Sequence, residues 1–281
     1  MAGQARRRLD AELVRRRLAR SREQAVELIA AGRVSVGGQR AAKAATQVET
    51  SAAIVVAQAA EGEEPGYASR GGHKLAGALE AFGAGPEGLR VAGRRALDAG
   101  ASTGGFTDVL LRAGARQVVA VDVGYGQLVW ELRNDPRVVV VDRTNVRELT
   151  LDQIGGEPAE LVVGDLSFIS LTLVLPALVR CAEPEADLAL MVKPQFEVGR
   201  DRLGAGGVVR DSALHAEAVR TVAAAAAGLG LGVLGVTASP LPGPSGNVEY
   251  FLWLRRGAPP LREEDLARAV AQGPAGAGAR G

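Results

Sequence analysis

From about residue 67 onward the chain alternates between short runs of apolar, mostly β-branched residues and stretches with apolar residues three and four apart. RRALDAG, RQVVAVDVG, RVVVVD, ELVVGDLSF and DLALMVK read as strands. HKLAGALEAF, FTDVLLRAG and an Ala-rich segment from about Ser212 to Leu229 read as helices. Two more strands, GVLGVTASP and NVEYFLWLRR, are joined by the Pro/Gly loop LPGPSG, a connection short enough for an antiparallel pair. This alternation specifies an α/β fold with a mostly parallel seven-stranded sheet covered on both faces. After Arg256 the pattern fades into Pro, Gly and Ala with room for one short helix, and the last residues are expected to be disordered.

The first sixty or so residues follow a different pattern. LDAELVRRRLA reads as a helix opened by Asp10, and SREQAVELIAAG as a second, with Ser21 as N-cap, Gln24 completing a capping box and Gly32 ending it. RVSVGGQR and AAIVVA read as short strands, with Gly37 and Gly38 forming a hairpin turn. The expected division is a small α+β domain at 1–60, a linker of acids, Gly and Pro at 61–66, a large domain at 67–257 and a partly disordered tail at 258–281.

Composition adds a charge asymmetry. The whole chain of 281 residues carries a net charge of +1, yet residues 1 to 43 hold 11 Lys/Arg against 4 acids, so the remainder is mildly acidic. A basic segment on an acidic body points to a polyanion-binding attachment. The single cysteine, Cys181, cannot form an internal disulfide, and no Cys/His cluster offers a metal site. No apolar run reaches the length of a membrane span, and none follows Arg6, Arg7 and Arg8 as a signal peptide requires. The expectation is a cytoplasmic protein with no membrane partner and no metal.

The strongest chemical signal is LDAGASTGGFTDVLL, where a strand ends in Asp98, a glycine-rich turn follows and a helix begins near Phe106. Gly100, Gly104 and Gly105 allow a tight turn and close approach of a ligand, with Ser102 and Thr103 between them and free N–H groups at the helix start. The dinucleotide fingerprint is not matched, and a P-loop is excluded because no Gly-Lys-Ser/Thr follows. An anion at Asp98 would repel a pyrophosphate but attract the cationic methionine end of S-adenosylmethionine. Asp122 ends the next strand, where an acid accepts from both ribose hydroxyls of an adenosine cofactor. Asp142 ends the third strand within reach of an adenine edge, and Asn145 follows it as either an adenine contact or a helix cap. Three successive strands ending in Asp place their carboxylates along one C-terminal crevice.

Asp165 in VVGDLSFISL and Lys193 in LMVKPQFEVG end the fourth and fifth strands and should face the same crevice. A lysine at the end of a buried strand is costly unless paired, and Asp165 is its natural partner; burial and neighbouring charge can bring such a lysine within reach of accepting a proton. Lys74 in SRGGHKL and Glu249 in GNVEYFLWL are weaker candidates, which by themselves read more readily as a surface lysine on a helix and an edge-strand glutamate. Trp253 is expected to pack in the core; His73 and His215 suggest no partner.

With SRGGHKL, LDAGASTGGFTD, VDVGYGQL, NDPRVVVVDRTNVR, DLSFISL, VKPQFEVG and SPLPGPSGNVEYFLWL in this order, the chain resembles the TlyA, or haemolysin-A-like, family of ribosomal RNA 2′-O-methyltransferases. Its large domain resembles the FtsJ-like Rossmann methyltransferases. The resemblance implies S-adenosylmethionine as cofactor, ribosomal RNA in ribosomal subunits as partner, a monomer, and a Lys-Asp-Lys-Glu tetrad that falls on Lys74, Asp165, Lys193 and Glu249. By resemblance Lys193 helps deprotonate a cytidine 2′-hydroxyl, Asp165 and Glu249 set its charge state, and Lys74 positions the substrate. The N-terminal helices resemble the RNA-binding module named after ribosomal protein S-four, which implies phosphate contacts from Arg6, Arg7, Arg15, Arg16, Arg20, Arg22 and Arg33. Membrane lysis, raised by the haemolysin name, would need an apolar span or a strongly amphipathic helix, and neither is evident. A base methyltransferase would carry an Asn/Asp-Pro-Pro-Tyr/Phe type of motif where this chain reads DLSF, and a non-enzymatic assembly factor would have no reason to keep the tetrad.

Overall fold

The computed structural model describes residues 6–19, 21–30, 32–57, 66–243 and 245–273. Most of the expected linker therefore lies outside the described residues, as do Arg20 and the end of the tail.

The N-terminal unit comprises β1 (Arg6–Arg8), α1 (Leu9–Arg15), α2 (Arg22–Ala30), β2 (Val34–Val36), β3 (Gln39–Arg40), β4 (Gln47–Glu49) and β5 (Ile54–Val56). Leu9 and Leu13 of α1 meet Ala25 and Ile29 of α2, Val34, Val48 and Ile54 in one small apolar core. The hairpin is as expected: Val36 pairs with Gln39, and Gly37 and Gly38 both have positive φ, 56° and 81°, as a two-residue turn of matching twist requires. Ser21 caps α2, its Oγ accepting the Gln24 N–H at 3.1 Å. Asp10 does not open α1. The helix begins at Leu9 after Arg8, and the Asp10 carboxylate, in the first turn, is held by the guanidinium groups of Arg8 and Arg22. The β1–β4 ribbon escapes the sequence reading because three consecutive arginines show no alternation.

The large unit runs α3 (Gly71–Phe82), β6 (Arg95–Ala99), α4 (Gly105–Arg112), β7 (Gln117–Val121), α5 (Trp130–Arg133), β8 (Val138–Val141), β9 (Ala159–Gly164), α6 (Leu171–Arg180), β10 (Ala182–Val192), α7 (Pro194–Glu197), α8 (Ser212–Ala227), β11 (Leu231–Ala238), β12 (Tyr250–Arg256) and α9 (Glu263–Gln272). Its seven strands form one sheet in the order β11-β12-β10-β9-β6-β7-β8. Neighbours from β8 to β10 pair in parallel, and β12 runs antiparallel between β10 and β11. The large unit is thus a Rossmann-like α/β domain preceded by a small α+β one.

Both faces of the sheet are covered, which is why its central strands read as continuous apolar runs rather than alternating ones. Leu97 on β6 points to the side where Leu175 of α6, Val219 of α8 and Leu266 of α9 pack, while its neighbour Ala96 points to Leu75 of α3 and Leu110 of α4. The chain after Arg256 is more ordered than its composition implies: Val233 N donates to Pro259 O at 2.7 Å, and α9 buries Leu266 and Ala269 against the sheet's helical layer. Strand order reverses at β6, which has β7 on one side and β9 on the other. A crevice opens there, outside the carboxyl ends of the strands, where ligands bind in sheets of this kind.

Candidate active site

Two adjoining clefts lie at this switch point, of about 470 and 210 Å³, sharing Gly100, Ser102, Asp165 and Ser167 in their walls. The glycine-rich turn between β6 and α4 separates the crevice from the sheet. Gly100 has φ +86°, and a Cβ there would lie 2.9 Å from the Asp165 carbonyl oxygen. Gly104, at φ +98°, precedes α4, and a Cβ would strike Leu128 and Leu132. The backbone can follow this path only where the side chain is a hydrogen atom.

The larger cleft has a carboxylate on its wall. Asp122 Oδ2 accepts the Ser102 N–H at 2.8 Å, which holds Ser102 at its positive φ of 48°, and Oδ1 accepts the Gly124 N–H at 2.7 Å. Each oxygen retains a lone pair for a further donor. Asn145 lines this cleft and also caps the following turn, its Oδ1 accepting the Arg147 N–H at 3.1 Å, so both expected roles are geometrically available. Thr144, Gln127 and Leu166 complete the wall, and the sequence reading missed them because nothing in their local pattern distinguishes them from loop residues.

Asp98 and Asp142 stand differently from expectation. Asp98 is fully buried beneath the turn rather than in a wall of either cleft. Its Oδ2 accepts from Thr107 Oγ1 at 2.6 Å, and among the described residues its Oδ1 has no hydrogen-bond partner. Burial pushes the carboxyl up to about 7, helped by the negative charges of Asp165 and Asp122 and opposed by the Thr107 hydroxyl. Asp142 lines neither cleft. Its Oδ2 pairs with Arg133 Nη1 at 3.0 Å and accepts the Gly126 N–H at 3.3 Å, so it braces the loop after β7.

The smaller cleft gathers the four ionisable residues. Lys74, on the second turn of α3, bonds Glu249 Oε2 at 2.5 Å, with both side chains under a tenth exposed. Lys193, one residue past β10, lies 2.6 Å from Asp165 Oδ1 and donates to Ser167 Oγ at 2.8 Å. The approach to Asp165 falls outside hydrogen-bond geometry, so that contact is held by charge rather than by a directed N–H. Lys74, Lys193 and Asp165 line the cleft, while Glu249 sits behind Lys74. Thr103, Gly105 and Phe106 line it from the turn and α4, and Ser69, Arg70 and Pro242 close it from the segment before α3 and the loop before β12. At the mouth of the larger cleft Phe168 is 91% exposed and held at φ +64°, a conformation rare for an aromatic residue. The sequence contained DLSF but gave no sign of that backbone.

The expected RNA-contacting arginines separate into groups. The side chains of Arg6, Arg15 and Arg22 are largely exposed, at 66, 48 and 59%, and Arg7 is exposed beside them. Arg33 is half-buried and donates to the Ala57 carbonyl. Arg16 departs from expectation: it bonds Glu12 and the carbonyl oxygens of Thr50 and Ala52, tying α1 to the turn between β4 and β5, so its guanidinium is already committed. Trp253 packs as expected and donates Nε1–H to Asp187. His215 does have partners, the Tyr250 hydroxyl at 2.9 Å and the Val209 carbonyl oxygen at 2.8 Å, and His73 lies edge-on to Tyr67.

Residues 67–256 match the model of the FtsJ-like methyltransferases, and residues 7–54 match the S4 domain. The chain belongs to the TlyA-type FtsJ-like methyltransferases. It is 59% identical over 273 residues to the 16S/23S rRNA (cytidine-2′-O)-methyltransferase TlyA of Mycobacterium tuberculosis, covering 95% of this chain and 98% of that protein. Hemolysin A of Brachyspira hyodysenteriae is 36% identical, over 82% of this chain and 92% of that one. A solved structure from Streptococcus thermophilus, which carries a hemolysin label, superposes with a TM-score of 0.76 at 36% identity, over 99% of this chain and 98% of its own. As a TlyA-type enzyme the chain uses S-adenosylmethionine as methyl donor and binds RNA through its S4 domain. The site fits that cofactor: a wall carboxylate with acceptor capacity to spare, a glycine turn that lets a ligand approach the backbone, and beneath the turn an acidic oxygen with no hydrogen-bond partner among the described residues. No helix among the described residues is long and apolar enough to cross a membrane.

Proposed function

We propose that this chain methylates a cytidine 2′-hydroxyl of 16S and/or 23S ribosomal RNA, acting on ribosomal subunits as a cytoplasmic monomer. One observation carries the reading: the tetrad Lys74, Asp165, Lys193 and Glu249 forms two ion pairs in one cleft, and that cleft shares a wall with the Asp122 cleft. Bound S-adenosylmethionine supplies a methyl group on a cationic sulfur.

In this reading Asp122 accepts from the ribose of the donor, Asn145 and Thr144 border its base, and Gly100 to Phe106 hold its amino-acid end near the Asp98 carboxyl. The target hydroxyl enters the smaller cleft, where Lys193 Nζ, as the neutral amine, orients it and accepts its proton as the carbon–oxygen bond forms, becoming the ammonium. Asp165 balances the lysine charge. Lys74, neutralised by Glu249, holds the ribose from the opposite wall. Assistance of this kind is worth about 10²–10⁴-fold, and holding oxygen and methyl together supplies most of the remainder. The exposed arginines of the N-terminal unit grip phosphates without reading sequence, so target choice rests on the RNA's folded shape.

The test is methyl transfer from labelled S-adenosylmethionine to undermethylated small, large and joined ribosomal particles, with the product nucleoside identified by mass. Label on a cytidine ribose is the expected result. No label on any particle, with cofactor binding intact, would favour a non-enzymatic assembly factor.

A further inference from the structure

Two short segments deliver Asp165 and Lys193 to the cleft. Asp165 follows β9 in a loop that passes Ser167 and Phe168 before α6 begins, and Lys193 follows β10 and opens the single turn of α7. The ion pair between them lacks hydrogen-bond geometry, so it does not by itself fix their relative orientation. The β9–β10 ladder, paired through Gly164 and Leu190, and the Lys193–Ser167 bond set the strand ends in register, and a further contact ties together the loop and the turn beyond them.

Glu197 joins them. It lies at the end of α7, four residues after Lys193, and reaches across to the start of α6. Its Oε1 accepts the Leu171 N–H at 2.8 Å, and its Oε2 accepts the Ser170 hydroxyl. Ser170 is also the N-cap of α6, accepting the Thr172 N–H at 3.1 Å. The carboxylate thus satisfies a free donor at a helix N-terminus, where the macrodipole favours negative charge. Beside this contact the rings of Phe168 and Phe196 meet with centroids 5.3 Å apart, giving the same two segments an apolar contact. Burial raises the Glu197 carboxyl above its ordinary range, against the two bonds that favour its charge.

We propose that Glu197 is a positioning residue for methyl transfer: it clasps the α7 turn to the start of α6 and so sets Lys193 against Asp165. This rests on the reading of Lys193 and Asp165 as a catalytic pair. A displaced α7 turn would move the lysine nitrogen while leaving the cofactor cleft and the RNA-binding unit in place.

The experiment compares E197A, E197Q, E197D and K193A in the full-length chain, by turnover on undermethylated subunits, cofactor affinity by calorimetry and thermal unfolding. For E197A we expect kcat to fall by about 10²-fold, the order expected of a misplacement of about 1 Å, with KM for RNA and cofactor affinity near the parent values. E197Q keeps the length and can accept from Leu171, so it should recover most of the loss; E197D keeps the charge but is one methylene short and should not. Should E197A fold poorly, S170A cuts one arm of the clasp and should give a smaller fall in kcat. Parent-like turnover in E197A and E197D with an inactive K193A would overturn the proposal. Activity that tracks unfolding across all variants, E197Q included, would overturn it too, since Glu197 would then serve the fold alone. Turnover in K193A would instead overturn the assignment on which the proposal rests.

Discussion

The N-terminal unit and the cleft of the large unit treat buried carboxylates in opposite ways, although Asp187, elsewhere in the large unit, is also shared by two arginines, Arg94 and Arg255. In the N-terminal unit the two buried acids among the described residues are each shared by two arginines: Asp10 by Arg8 and Arg22, and Glu12 by Arg15 and Arg16. The Arg8 bond draws Asp10 far below the usual carboxylate range, and the Arg15 bond does the same for Glu12. Three of these guanidinium groups remain substantially exposed, so the surface keeps a surplus of positive charge on fixed supports. In the cleft the pairing is one to one, Lys74 with Glu249 and Lys193 with Asp165, while Asp98, buried beneath the glycine turn, has no cationic partner among the described residues and bonds the Thr107 hydroxyl. Surplus positive charge suits attachment to a polyanion. A balanced, largely buried pair instead holds its polar groups at fixed positions beside a cleft.

The comparison breaks first at Lys193. K193A should lower methyl transfer by about 10²–10⁴-fold while RNA retention in a gel-shift assay stays near the parent value; retained turnover would refute its role. In the other unit the equivalent substitution acts on stability. E12Q leaves two arginines around a neutral amide and should destabilise the N-terminal unit by about 1–3 kcal/mol, read as lost hydrogen-exchange protection in α1 and α2.

Protonation separates the two regions further. Asp98 has a folded-state pKa raised to about 7, so its stabilising contribution is complete below the unfolded value of about 3.9 and is lost as pH rises through about 7. Asp10 and Glu12 are shifted down, so theirs is present above about 4 and lost only on further acidification. Thermal melts of the cofactor-free protein should therefore fall between pH 4 and about 7 in a component that D98N removes. A melt of D98N with the parent pH profile would contradict this. The smallest effect concerns the arginines. R7A should weaken RNA binding evenly across sequences and reduce the salt slope by roughly 1, whereas R16A should leave the slope unchanged and lower stability, because its guanidinium is spent on Thr50 and Ala52.

Much of this was legible without coordinates. Strands buried on both faces announce themselves as apolar runs, and a glycine-rich turn after such a strand can hardly be anything but a ligand loop; Asp122 was correctly placed in the crevice on that logic. The same logic did not foresee the partner of Asp142. It has the same position at a strand end, but Arg133 on the neighbouring α5 captures it, and no local pattern reveals a partner nine residues earlier. The tail reads with room for one short helix, and α9 is a helix there; what no local pattern shows is that Leu266 and Ala269 anchor it. Lys74 and Glu249, 175 residues apart, were weak candidates individually and became a pair only when α3 met β12.

The amino-acid order by itself determined the periodicities, the glycine positions, the charge asymmetry and the candidacy of Asp165 and Lys193, because these are properties of neighbours along the chain, whereas Lys74 and Glu249 joined them only through the family resemblance. Which carboxylate is paired, which is stranded and which arginine still faces solvent was decided by tertiary structure alone. Pairing and desolvation depend on distances between residues far apart in sequence, and a partner that costs nothing to write into the chain acquires its effect only when folding removes the water between the two.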